Sequence, residues 1–126
     1  MIDQTTHKAD QYEILVVDDT MDSLRYLTLL LEKRGYRVRA ASKGSLALES
    51  VAAKLPHLIL LDVKMPEMDG YEVCRRLKSD DRSRKVPVIF ISGLHETMDK
   101  VKGFKAGGVD YINKPIEPEE VFARVE

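Results

Sequence analysis

Three short apolar runs, at residues 14–17, 58–61 and 86–91, are continuous rather than alternating. A strand with one wet face alternates polar and apolar side chains, whereas a strand covered on both faces does not. These runs therefore predict inner strands of a parallel sheet with helices on both sides. A weaker run at 109–112 reads as a fourth such strand, and Arg37-Val38-Arg39-Ala40 alternates, which suits an edge strand.

Amphipathic stretches fill the intervals. Residues 21–34 place Leu24, Leu27, Thr28 and Leu31 at helical spacing, with Gly35 where a C′ residue belongs. Residues 43–53 carry Ala47, Leu48 and Val51 and end before Pro56. Residues 71–78 follow Asp69-Gly70 and put Val73, Cys74 and Leu77 on one side. Residues 97–106 put Met98 and Val101 together and stop at Gly107-Gly108. Residues 117–126 open with Pro118 and carry Val121, Phe122 and Val125. Five strands alternating with five helices argue an α/β fold with a parallel sheet between two helical layers.

A chain of 126 residues suits one domain with one real core. Residues 1–12 read as a flexible tail and 13–126 as the domain, its last helix cut short while the apolar stripe is still being laid down. The net charge of −1 recruits neither nucleic acid nor an anionic membrane, and the apolar runs are too short to span a bilayer. A single cysteine, Cys74, precludes an internal disulfide and suits a reducing cytoplasm. It reads as a small core hydrophobe. His7, His57 and His95 share no ligand spacing.

In such sheets ligands bind beyond the carboxyl ends of the strands, where the strand order reverses. The first strand ends in Asp18-Asp19, the third in Asp62, the fourth in Ser92 and the fifth near Lys114-Pro115. Taken singly each is ordinary: Asp19 could cap the following helix, and a lone Lys before Pro is usually a surface charge. Taken together, three carboxylates at one rim repel one another unless a cation satisfies them. Oxygen donors without Cys or His select a hard ion such as Mg²⁺. A carboxylate beside such an ion and an ammonium is placed to attack a phosphoryl group, with Ser92 as a hydrogen-bond donor to its oxygens.

Four blocks carry a resemblance over roughly residues 12–126: Ile14-Leu15-Val16-Val17-Asp18-Asp19; Leu58-Ile59-Leu60-Leu61-Asp62-Val63-Lys64-Met65-Pro66-Glu67-Met68-Asp69-Gly70; Pro87-Val88-Ile89-Phe90-Ile91-Ser92-Gly93; and Gly107-Gly108-Val109-Asp110-Tyr111-Ile112-Asn113-Lys114-Pro115. In this order they resemble the receiver domains of two-component response regulators, the family of the chemotaxis regulator. The resemblance implies a three-layer, doubly wound, flavodoxin-like (βα)5 fold with strand order 2-1-3-4-5. It implies that Asp62 is the phosphoacceptor, that Asp18, Asp19, Asp62 and the backbone carbonyl of Lys64 hold Mg²⁺ or Mn²⁺, and that Lys114 pairs with the phosphoryl group. Ser92 and Tyr111 would form the switch, and the Lys114–Pro115 peptide would be cis.

The implied donor is a histidine kinase or a histidine phosphotransfer domain. The implied readout is self-association or an output domain engaged through the fourth helix, fifth strand and fifth helix. Such a domain is no conventional enzyme: it catalyses only its own phosphorylation and slow self-hydrolysis. Lys64 and Leu94, each two residues after a site residue, would set that lifetime; apolar Leu94 implies a slow loss.

Readings from other classes fit less well. A haloacid-dehalogenase-type phosphatase resembles Asp-x-Asp after its first strand, but Thr20 stands two after Asp18 and Lys64 two after Asp62. A flavin- or nucleotide-binding module wants a glycine-rich first turn, and Asp18-Asp19-Thr20-Met21-Asp22 is acidic and has none. A purely protein-binding, degenerate receiver would not need the full set of site residues.

Overall fold

The computed structural model describes residues 11–93 and 100–126. Residues 1–10 of the expected 1–12 tail, and Met98, Leu94 and His95, lie outside the described residues, while the Tyr12 carbonyl accepts the Arg37 N–H at 3.1 Å. Strands β1 (Glu13–Val17), β2 (Arg37–Ala41), β3 (Leu58–Asp62), β4 (Val88–Ser92) and β5 (Asp110–Asn113) alternate with helices α1 (Met21–Lys33), α2 (Gly44–Ala53), α3 (Gly70–Lys78), α4 (Lys100–Ala106) and α5 (Pro118–Val125). The strands form one sheet in the order β2-β1-β3-β4-β5, and every pairing is parallel. The strand order therefore reverses at β1, which pairs with both β2 and β3.

The uninterrupted apolar runs are explained by two cores, one on each face. Leu15, Val17, Ile59, Leu61, Val88, Phe90 and Tyr111 face Ala47 and Val51 of α2, Val73, Cys74 and Leu77 of α3, and Ala106 of α4. The alternate residues Ile14, Val16, Leu60, Ile89, Ile91 and Ile112 face Leu24, Leu27 and Leu31 of α1 and Val121 of α5. A buried Leu contributes about 1.5–3 kcal/mol by leaving water. Truncating fully buried Leu27 or Leu31 to Ala would cost about 2–5 kcal/mol.

Two local devices fix the helices. Asp69 caps α3, its Oδ1 accepting the Glu72 N–H at 2.9 Å. Arg39 on β2 reaches across to the end of α2, donating to the carbonyls of Ser50 at 2.8 Å and Lys54 at 2.6 Å. The Lys54 carbonyl is one that a helix end leaves without an internal partner, while the Ser50 carbonyl also accepts the Lys54 N–H at 3.1 Å. No described helix is long and apolar enough to cross a membrane.

One helical reading is corrected. Val101 does not point inward: it is 63% exposed, and α4 turns Gly103 and Ala106 to the sheet instead. Val109, read as the start of the last strand, is 57% exposed and precedes it.

Candidate functional site

Because all five strands run parallel, their carboxyl ends share one rim. Val17 pairs in register with Leu61, so Asp18 and Asp62 leave adjacent strands side by side. Asp18 is held on both sides: its N–H donates to the Ala41 carbonyl at 3.1 Å, and its Oδ1 accepts the Thr20 N–H at 2.9 Å. Thr20, not Asp19, occupies the N-cap of α1, and no side chain caps that helix. Asp19 is thereby left exposed at the rim rather than spent on the helix end.

One carboxylate oxygen from each of Asp18, Asp19 and Asp62 lies within 4.8 Å of the others. Asp18 and Asp62 are buried. At an effective dielectric of about 20, each like-charged pair at this range costs about 3 kcal/mol. Lys114 Nζ stands 3.1 Å from Asp18 Oδ2, but one ammonium cannot offset three mutual repulsions. The Asp62 carboxyl is accordingly pushed up to about 8, first by burial, then by the Asp18 charge, with hydrogen bonding to Asp19 and Asp18 adding and Lys114 opposing. Asp18 Oδ2 is buried and has no aligned hydrogen-bond donor among the described residues. An oxygen-only donor set, a buried carboxylate oxygen met by one ammonium at 3.1 Å without good alignment, and an acid driven to hold its proton together fit a hard divalent cation such as Mg²⁺.

The loop after β3 is drawn tightly beneath the cluster. Gly70 N–H donates to the Val63 carbonyl at 2.7 Å and Met68 N–H to the Pro66 carbonyl at 2.7 Å. Glu67 takes a left-handed conformation, φ 71°, to make that turn. A Cβ at Gly70 would sit 2.3 Å from the Asp62 carbonyl oxygen, so only glycine lets α3 start this close to the acid. Asp69-Gly70 signals a turn in sequence; the contact of Gly70 with Asp62 has no sequence signature. An open recess of about 410 Å³ results, lined by Asp19, Thr20, Asp62, Lys64, Met65, Pro66 and Lys114.

Ser92 is buried at the end of β4, its Oγ 3.5 Å from the Gly93 carbonyl, and its own carbonyl accepts the Lys114 N–H at 2.9 Å. The Lys114–Pro115 peptide is cis. Tyr111 is not at the acid cluster. It is buried on the face carrying α2, α3 and α4, with ring centroids 5.8 Å from Phe90 and 5.3 Å from Phe104.

The sequence profile of the response regulator receiver domain matches residues 14–126. The chain belongs to that family. Acceptance of a phosphoryl group is typical of receiver domains. The chain is 45% identical over 112 residues to the response regulator PleD of Caulobacter vibrioides, covering 89% of this receiver and 25% of PleD. It is 41% identical over 114 residues to the regulatory protein PhoP of Bacillus subtilis, covering 90% of this receiver and 47% of PhoP. The receiver thus spans between a quarter and a half of these relatives.

Among solved structures, the Vibrio cholerae chemotaxis protein CheY4 superposes with a TM-score of 0.84 at 26% identity, covering 90% of this receiver and 95% of that chain. The receiver domain of the Pseudomonas aeruginosa sensor histidine kinase PA1611, solved with a magnesium ion in its active-site cleft, superposes with a TM-score of 0.82 at 29% identity, covering 90% and 93%.

Proposed function

We propose that Asp62 accepts a phosphoryl group from the phosphohistidine of a histidine kinase or histidine phosphotransfer domain. The observation that carries this reading is the convergence of Asp18, Asp19 and Asp62 within 4.8 Å, with Lys114 Nζ 3.1 Å from Asp18 Oδ2. Asp18, Asp19, Asp62 and the main-chain carbonyl of Lys64 would hold Mg²⁺; magnesium in the cleft of the PA1611 receiver supports the same use here. A bound divalent ion supplies positive charge to the acid cluster and to the phosphoryl oxygens.

Asp62 must be ionised to act as nucleophile, and filling the cluster with positive charge releases its proton. Its carboxylate oxygen then forms the O–P bond as the N–P bond to the partner's imidazole breaks. The electron pair returns to the imidazole nitrogen, which takes up a proton. Lys114 moves from Asp18 towards the phosphoryl oxygens, and Ser92 Oγ turns from the Gly93 carbonyl to donate to one of them. The product stays on the protein, so the chain is a signal acceptor that helps its own modification. The magnesium-dependent transfer belongs in the cytoplasm, where buried Cys74 stays a thiol.

The displaced Ser92 hydroxyl and the Tyr111 ring would bias a two-state surface made of α4, β5 and α5, which an output domain or a second copy reads. Intact-mass analysis with a small-molecule phosphodonor tests the acceptor. A single Mg²⁺-dependent phosphoryl adduct, lost in Asp62→Asn, is expected; an adduct of equal yield in Asp62→Asn sinks the assignment.

A further inference from the structure

We propose that Gly103 is the positioning residue for Tyr111: the missing side chain at 103 is the seat of the tyrosine ring, and occupancy of that seat is coupled to the phosphoryl site. The coupling rests on the reading of Asp62 as acceptor. Glycine is a poor helix residue, yet Gly103 lies inside α4, a helix of seven residues. Its φ lies outside the left-handed range, so its backbone does not require glycine; space does. A Cβ built there would stand 1.9 Å from Tyr111 Oη, 2.8 Å from Tyr111 Cζ and 3.2 Å from Phe90 Cε2. Gly108 repeats the device under the neighbouring ring, where a Cβ would stand 2.3 Å from Phe90 Cε2.

Aromatic rings wall the seat. Phe104 meets Tyr111 edge-on at 88°, and Phe90 lies between Tyr111 and Tyr71, its centroid 5.1 Å from the latter. Gly103 and Ala106 are the buried residues among those of α4 whose burial is described, while Val101 and Phe104 are more than half exposed. The Gly103 seat is one hold on this helix; another is the Ala106 carbonyl, which accepts from Cys74 Sγ at 3.2 Å. Phe90 and Tyr111 are register partners on β4 and β5, and Ser92 and Asn113 are partners at the ends of the same strands. Lys114 N–H, one residue on, donates to the Ser92 carbonyl at 2.9 Å. A ring pair forced out of place therefore strains the two strands that deliver Ser92 and Lys114, and linkage makes the effect reciprocal.

Beryllofluoride with Mg²⁺, titrated as a phosphoryl mimic, provides the readout. Gly103→Ala should weaken its binding at least about fivefold, the lower end of ordinary coupling between sites. Tyr111→Phe removes the 1.9 Å contact but leaves the ring carbon at 2.8 Å, so adding it to Gly103→Ala should recover part of the loss. Unchanged or tighter binding in Gly103→Ala, or no recovery in the double variant, overturns the proposal.

Melting temperature tests the seat without any ligand. Gly103→Ala should lower it in the wild-type background and raise it in a Tyr111→Leu background, where the ring is gone and alanine's helix preference is left. A fall of equal size in both backgrounds, or failure to fold in both, overturns the proposal. Failure of the wild type to bind beryllofluoride would sink the Asp62 assignment and the coupling with it, while the melting reversal would still report the seat.

Discussion

Asp18 Oδ2 and Lys114 Nζ stand 3.1 Å apart at the ends of strands far apart in sequence, and among the described residues theirs is the ion pair in which one partner is fully buried. Removing one member of such a pair strands the other. Lys114→Met should therefore destabilise the metal-free protein by about 2 kcal/mol, below the usual range because the Lys114 side chain is 18% exposed and the acids can take up a proton instead. Saturating Mg²⁺ should narrow the difference, since the cation replaces the lost charge. Urea midpoints with chelator and with Mg²⁺ measure both; equal destabilisation in the two conditions contradicts the prediction.

Asp62 sets the sign of a pH dependence. Its carboxyl rises from an ordinary 3.8 to about 8, with burial the largest cause. Between those values the folded state holds a proton that the unfolded state has lost, so stability is fully present below the lower value and falls as pH rises through the upper. The metal-free protein should thus lose about 1–3 kcal/mol between pH ~5 and pH ~8, less than the full shift implies because water enters an open recess. Asp62→Asn should flatten the slope, and Mg²⁺ should remove it. Denaturant titrations at the two pH values decide, and a metal-free protein that gains stability over this window would refute the assignment.

The sequence made the strands legible because the sheet is covered on both faces, which leaves β1, β3 and β4 no polar positions to break their runs. The rim acids were legible for the same reason: once the strands are placed, Asp18, Asp19, Asp62, Ser92 and Lys114 can only fall at their carboxyl ends. The inward face of α4 was not legible, since it is carried by Gly103 and Ala106 rather than by its exposed Val101 and Phe104. Nor were Gly70 and Gly103, whose importance lies in what approaches them. A glycine in a helical stretch reads as weakness until the Asp62 carbonyl or the Tyr111 ring is found against it.

Gly70→Ala tests that close approach at the site itself. Alanine improves a helix start in isolation, but here its Cβ would fall 2.3 Å from the Asp62 carbonyl oxygen and 3.0 Å from Val63 Cα, both backbone atoms with little room to give. The chain must lift α3 or push the end of β3. A net loss of at least about 2 kcal/mol is expected, within the range for overpacking. A fall of roughly tenfold in phosphorylation rate should accompany it, because small displacements of a reacting group are costly. Stopped denaturant unfolding and mass-resolved phosphorylation time courses check the two effects. Wild-type rates in a folded Gly70→Ala protein would mean that the contact is packing alone.

Lys78 allows stability to be separated from chemistry at the opposite end of the molecule. Its Nζ donates to the Arg84 carbonyl at 3.0 Å and the Val86 carbonyl at 2.5 Å, tying the end of α3 to the segment that leads into β4. Partial burial lowers its pKa, and the nearby Cys74 opposes that shift. The stem of Lys78 also covers Gly107, where a Cβ would lie 2.6 Å from Lys78 Cγ. Lys78→Met keeps the stem and removes the charge and both hydrogen bonds, leaving two carbonyls to find water. The cost should be about 1–2 kcal/mol, the ordinary penalty for hydrogen bonds lost at a half-buried group. The acid cluster lies at the other end of the strands and shares no partner with Lys78, so the two perturbations should be independent. Beryllofluoride affinity and phosphorylation rate should therefore stay within about twofold of wild type while the urea midpoint falls. A large loss of affinity in Lys78→Met would show that the β4 entry segment, and with it the placement of Ser92, is controlled from this end of the sheet.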